Sequence, residues 1–242
     1  MFYVSPKGSD SNPGTISQPF FTMARAVEET RKNEGKKAIY VESGCYDNTH
    51  IDLDERDSGL FIGAQHSDDD KDKPVLRGGI QVTGWQQEGD GLYSLKLPQE
   101  VSADVRIIEI NGALKPRTRF PETGFAKHLS KYNVAWVSTS GGGFKTMPTD
   151  EERQTLKYDP ANIPQDFDWC DTEVAVIHRW DESLVCVESH DAKSHTIKFS
   201  TPCGNPPGSF EVQDFVVFNS AYNMTPGYFR VDKTNQIGRA HV

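Results

Sequence analysis

The run His178-Arg179-Trp180-Asp181 sets an imidazole, a guanidinium and an indole side by side at what reads as a strand end. Such a group could form a stacking platform for a sugar, or it could be a packed strand end whose histidine bonds to the backbone. A second indole, Trp169, stands among Asp166, Asp168, Asp171 and Glu173. It either stacks a sugar next to acids or anchors a polar strand start to the core. Arg117 and Arg119 alternate along an extended segment stiffened by Pro116 and Pro121, so both guanidinium groups lie on one side. They could hydrogen-bond sugar hydroxyls or a uronate carboxylate, or pair with internal acids. Hydrolysis of a glycosidic bond commonly needs two carboxyl groups, one to protonate the leaving oxygen and one to activate water or attack. Among 35 acidic residues, spacing alone selects no such pair.

Other chemistries find little support in the spacing. Asp68-Asp69-Asp70-Lys71-Asp72 lacks the alternating acids, glycine and distal glutamate of a calcium loop, and reads as a solvated connection. His190 and His195 flank a turn and alternate poorly for chelation, so they read as solvated loop histidines. Cys45, Cys170, Cys186 and Cys203 form no C-x-x-C pair. They read as buried free thiols, with a Cys170–Cys186 or Cys186–Cys203 bridge open as an alternative. No metal site and no cofactor are expected. Gly141-Gly142-Gly143 precedes no helix and reads as a flexible connection, and neither a nucleophile elbow nor a dinucleotide fingerprint is present.

Charge narrows the partners. The chain has 242 residues with 26 Lys and Arg against 35 Asp and Glu, a formal charge of −9. Without a basic cluster, nucleic acid is not an expected partner. No run of roughly 18 apolar residues is present, so no membrane span is expected. A hydrophobic share of 36 %, with 20 glycines beside it, is enough for a packed core. The start, Met1-Phe2-Tyr3-Val4-Ser5-Pro6, shows no basic and apolar secretory leader, which implies either a cytosolic protein or an incomplete amino end.

The elements that must position these residues divide in two. After a turn-rich opening at 8–15, a helix is predicted over 19–32, with Phe20, Met23, Ala24 and Val27 on its apolar face and Gly35 beyond as a stop. Short extended runs follow at 37–41, 50–53, 60–62 and 75–76. The gaps are too short for helical crossovers, so the strands should coil into a solenoid covered by the helix as a cap. From residue 80 the texture changes to longer alternating runs at 91–97, 105–111, 173–178, 183–189, 196–200 and 215–219, which suggest antiparallel strands. Residues 1–79 are therefore expected as cap helix and first rungs, and 80–235 as an all-β unit of sandwich or barrel type. Within the second, 122–171 is a long polar excursion with a helix candidate at 149–154; such connections are usually functional or mobile.

Two stretches resemble one family. Tyr3-Val4-Ser5-Pro6-Lys7-Gly8-Ser9-Asp10-Ser11-Asn12-Pro13-Gly14-Thr15 with Gln18-Pro19-Phe20 resembles the start of right-handed parallel β-helix carbohydrate-active enzymes, with the pectin lyase-like fold. Gly44-x-Tyr46 and Pro74-Val75-Leu76-Arg77-Gly78-Gly79 fit their first rungs. The second stretch is similar to the insertion domain of β-helical glycoside hydrolases, especially the family 141-like group of fucosidases and xylanases. It comprises Val82-Thr83-Gly84-Trp85, Ile110-Asn111-Gly112, Arg117-Thr118-Arg119-Phe120-Pro121, Asp168-Trp169, His178-Arg179-Trp180, Phe218-Asn219 and Pro226-Gly227-Tyr228-Phe229. The resemblance implies hydrolysis of a polysaccharide or oligosaccharide, export from the cell, and catalytic carboxylates on later rungs, beyond this chain. It raises Arg117, Arg119, Trp169 and Trp180 as substrate-binding residues. Alternatives from other classes are a non-catalytic carbohydrate-binding or adhesive β-helix and a pectate-lyase-like lyase.

Ile237-Gly238-Arg239-Ala240-His241-Val242 is what ATC GGA AGA GCA CAC GTC encodes, one frame of a common short-read sequencing adapter. Residues 236–242 are accordingly expected to be a non-native tail on a truncated, inactive fragment, with a solvated natural tail as the alternative.

Overall fold

The computed structural model describes residues 1–33, 35–65, 73–99, 101, 104–137, 142–222 and 224–242. The acidic run at 68–72 and Gly141 lie outside the described residues. The chain divides into two compact units, Met1–Val82 and Thr83–Val242.

The first unit is built on parallel pairing. Strands β1 (Phe2–Val4), β2 (Ala38–Val41) and β4 (Phe61–Ala64) form one parallel ladder, in which Val4 faces Val41 and Val41 faces Ala64. Strands β3 (Gly44–Tyr46) and β5 (Pro74–Leu76) form a second. Alternation along β2 puts Ile39 and Val41 into a core with Val4, Phe20, Val27 and Tyr46. Tyr40 takes the opposite face, stacked on Tyr3 at 5.7 Å.

Helix α1 (Met23–Thr30) covers this core, but it is shorter than periodicity predicts. Asp10 accepts hydrogen bonds from the Phe21 and Thr22 amides at 2.9 and 2.8 Å, and the Thr22 hydroxyl caps the helix by accepting from the Arg25 amide. That clamp leaves Phe20 extended, bridged to Val4 and fully buried. The buried helical face is Met23, Ala26, Val27 and Thr30, while Ala24 is exposed. The expected strand at 50–53 does not form. Arg31 donates to the Asp52 carbonyl and to both oxygens of buried Asp57, turning the chain into a short 3-10 helix at Glu55–Asp57.

The second unit is antiparallel throughout its named strand pairs. Strands β6 (Gln86–Gly89) and β7 (Leu92–Lys96) open it, and β8 (Ile108–Ile110) and β9 (Ala113–Lys115) make a hairpin. The turn residues Asn111 and Gly112 both have positive φ, at 53° and 78°, as a tight hairpin requires. Short strands β10 (Arg119–Phe120), β11 (Ala126–Lys127), β12 (Trp136–Val137) and β13 (Gly143–Phe144) follow. Helix α2 (Asp150–Gln154) starts at a capping box of Thr149 and Glu152, within the predicted span. Strands β14 (Thr155–Lys157), β15 (Glu173–Ile177), β16 (Glu182–Asp191), β17 (Thr196–Phe199), β18 (Asp214–Phe218), β19 (Phe229–Asp232) and β20 (Ile237–His241) complete it.

The main sheet runs β10-β18-β15-β16-β17-β14, with β11 also on β18. Its buried face carries Val174, Val176, Ile197, Phe199, Phe215 and Val217, packed with Trp169 and Phe167. A second sheet runs β19-β20-β7-β6 over Phe229, Val231, Ala240 and Trp85. Among the described residues none of the sheets closes on itself, and the unit is mainly β. Residues 237–241, expected as part of a tail, form an inner strand paired to β19 on one edge and β7 on the other.

Candidate functional site

Three loops of the second unit converge on a shallow aromatic groove. The first is the β12–β13 hairpin, in which Trp136 pairs across to Phe144 with near-perpendicular rings 5.0 Å apart. Gly142, at φ 58°, lets the backbone lie against the indole; a Cβ there would stand 2.9 Å from the Trp136 ring. The second loop is 208–211. Gly208 at φ 84° passes so close to Ser130 that a Cβ would meet its carbonyl oxygen at 2.1 Å. Phe210 and Glu211 follow in the left-handed region, which turns Phe210 onto Trp136 at 5.6 Å and onto Phe144 at 5.7 Å.

The third contributor is the β15–β16 turn. The His178 amide donates to the Asp181 carbonyl at 2.9 Å, and the buried imidazole shares a 2.9 Å hydrogen bond with the Ser183 hydroxyl. Burial pushes the His178 pKa down, so the ring is a neutral structural group. Arg179 and Trp180, between these anchors, are exposed. Trp180 is 64 % exposed and packs edge-on to Phe210 at 4.9 Å, and Trp136 is 37 % exposed and 5.6 Å from Trp180. The Arg179 guanidinium lies 5.7 Å from the ring centroids of both Trp180 and Phe210.

The groove has a volume of about 430 Å³, and Tyr132, Trp136, Arg179, Phe210 and Glu211 are among the residues that line it. Exposed indole faces can stack on apolar C–H faces of a ligand, Arg179 can donate hydrogen bonds, and Glu211 can accept them. Glu211 is the single carboxylate among the described lining residues.

The other anticipated residues lie elsewhere in the unit. Trp169 is 4 % exposed and belongs to the core, against Phe167 at 4.7 Å and Tyr158 at 5.3 Å. Arg117 pairs with Glu173 at 3.0 Å and lies over the Phe218 ring at 5.3 Å. Glu173 is 1 % exposed and also meets Lys233 at 3.2 Å and Arg106 at 3.6 Å. Burial alone would raise its pKa; Arg117 and Lys233 outweigh that and hold it below the ordinary carboxylate value. Arg119 donates to the carbonyls of Glu122 and Gly124, tying down its own loop. Of the four residues singled out for substrate binding, only Trp180 lies next to the groove, packed against Trp136 and Phe210 without itself lining it.

The acids around Trp169 also serve local structure. Asp168 accepts from the Cys170 amide, and Asp171 from the Lys233 amide at 2.9 Å. His190 shares a 2.7 Å hydrogen bond with the Tyr158 hydroxyl and packs on Trp169, so it is not merely solvated. All four cysteines are free; Cys203 is buried, while Cys45 and Cys170 are exposed, unlike the buried thiols expected. Among the described residues no three His, Cys, Asp or Glu side chains gather as a metal-binding set. A smaller groove of about 180 Å³ in the first unit is lined by Phe21, Tyr46, Asp47 and His50 among others, with neither an indole nor a guanidinium among its described lining residues.

No family model and no curated protein matches this chain. A solved structure described as a glycoside hydrolase aligns with a TM-score of 0.71 at 19 % identity, over 99 % of this chain and 43 % of its own. The fold is glycoside hydrolase-like. The chain spans less than half the length of that neighbour. A second solved chain, described as the complex structure of XylC with xylose, aligns at a TM-score of 0.31 and 13 % identity, over 96 % of this chain and 33 % of its own. Trp136, Phe210, Tyr132 and Glu211 were not singled out by sequence. Their one advance signal is the length of the 122–171 excursion, which holds Tyr132 and Trp136.

Proposed function

We propose that this chain is the carbohydrate-recognising part of a glycoside hydrolase, and that it holds a polysaccharide or oligosaccharide on the aromatic groove of its second unit. The observation that carries the reading is the pair of exposed indoles, Trp136 and Trp180, beside Arg179 and Glu211. Solvent-facing aromatics with a donor and an acceptor suit a ligand that has apolar ring faces and hydroxyl edges.

The groove binds rather than cleaves. Hydrolysis needs two carboxyl groups at a defined separation, and the lining offers Glu211 alone. In this reading the acid and base come from further β-helix rungs, of the family 141-like kind. The parallel ladders β1-β2-β4 and β3-β5 support a coil of that type, since the strands from β2 to β5 alternate between two ladders.

Affinity electrophoresis in gels containing xylan, pectin or mannan tests the binding. Retardation by at least one polysaccharide, abolished by Trp180→Ala and by Trp136→Ala, is the expected result. Migration unaffected by every polysaccharide would overturn the reading.

A further inference from the structure

Resting on the sugar-platform reading, we propose that Arg179 makes the groove selective for acidic sugars, with a uronate as the residue held beside Trp180.

The argument starts from how this chain uses its arginines. Acids outnumber bases by 35 to 26, and Arg106, Arg117, Arg153 and Arg239 each meet a carboxylate. Arg179 has no ion pair and no hydrogen bond to any described residue; its contacts are the rings of Trp180 and Phe210. Asp181 and Glu182 on its own segment and Glu211 in the groove are close in sequence or space, and none of them pairs with it.

A guanidinium held against aromatic rings remains charged, and its in-plane N–H groups stay open to a partner. The partner that matches a planar fork of donors is a carboxylate, through two parallel charge-assisted hydrogen bonds. A neutral sugar offers hydroxyls, each a weaker acceptor than an ionised oxygen. A uronate combines an apolar ring face for the indole with a carboxylate at the ring edge for Arg179, so one residue satisfies both features. Glu211 sets the limit on this selectivity, since its own charge faces any anion entering the groove.

Calorimetric titration of the full chain with tetragalacturonate, its fully methyl-esterified form and xylotetraose tests this. The acid form should bind at least about tenfold tighter than the ester. Arg179→Gln should shrink that advantage to about twofold or less by weakening the acid far more than the ester, and Trp180→Ala should weaken both. Raising salt from about 20 to 500 mM should erode the acid's advantage and leave the ester unchanged. Equal affinity for acid and ester, with binding still lost in Trp180→Ala, would overturn the acidic selectivity and leave the sugar platform standing. Persistence of the advantage in Arg179→Gln would also overturn it. Failure of all three oligosaccharides to bind would overturn the platform and the selectivity together.

Discussion

Two tryptophans eleven residues apart have opposite duties, and single substitutions separate them. Trp169 is enclosed by Phe167, Tyr158 and His190, so Trp169→Ala removes core volume and should cost about 3–5 kcal/mol in urea denaturation. Trp180 faces solvent, and Trp180→Ala should stay within about 0.5 kcal/mol of the parent while losing polysaccharide retardation. A large stability loss in Trp180→Ala would contradict its assignment to the surface. His128 supplies a pH dependence. It is 1 % exposed with neither ring nitrogen hydrogen-bonded to a described residue, and burial pushes its pKa from 6.5 down to about 4. The unfolded chain then binds the extra proton between these values, so stability is full above about pH 6.5 and falls as pH drops toward 4. At about 1.4 kcal/mol per unit, up to ~3 kcal/mol is at stake. His128→Leu should flatten the slope between pH 7 and pH 4.5, and an unchanged slope would contradict this account. Core anchoring was one of the two readings the sequence allowed for Trp169, whereas His128, between Lys127 and Leu129, gave no local sign of its burial.

At the scale of elements, several residues that carry the family resemblance belong to the scaffold. Arg117, Glu173 and Lys233 meet between the starts and ends of β10, β15 and β19, and the Asn219 amide bonds to the carbonyls of Asp171 and Val231. Glu173→Gln leaves Arg117 buried without its counter-charge and should cost about 3–5 kcal/mol. A loss under about 1 kcal/mol would show the cluster to be solvated. Gly208→Ala should disturb the groove specifically, since its Cβ would collide with the Ser130 carbonyl and displace the loop that carries Phe210 and Glu211. The expected outcome is reduced sugar binding with the main sheet intact by far-ultraviolet dichroism. Alternation made β16 and β17 legible, and β15 and β18 showed as short runs of β-branched and aromatic residues. Periodicity missed β10 to β13, which are two residues long and carry no period, and it lengthened α1, because Phe20 continues the helical spacing while Asp10 holds its neighbours extended.

For the whole molecule, the reading joins a parallel-stranded unit to an antiparallel unit that carries the groove, in a chain with a glycoside hydrolase-like fold. The chain divides between Val82 and Thr83, and among the described residues the only helix between β2 and β5 is the short 3-10 turn at Glu55–Asp57. What no local pattern carries is the meeting of residues 132–136, Arg179 and 210–211, which lie far apart in sequence and define the groove only after folding, with Trp180 packed beside it. The four indole N–H signals, from Trp85, Trp136, Trp169 and Trp180, report on that meeting directly. Titrating an oligosaccharide that retards the protein into a ¹⁵N-labelled sample and following those four signals is the decisive measurement. The account predicts that Trp136 and Trp180 shift together along one binding isotherm while Trp85 and Trp169 hold still; shifts confined to Trp85 or Trp169, or no shift at Trp180 under saturating sugar, would contradict it.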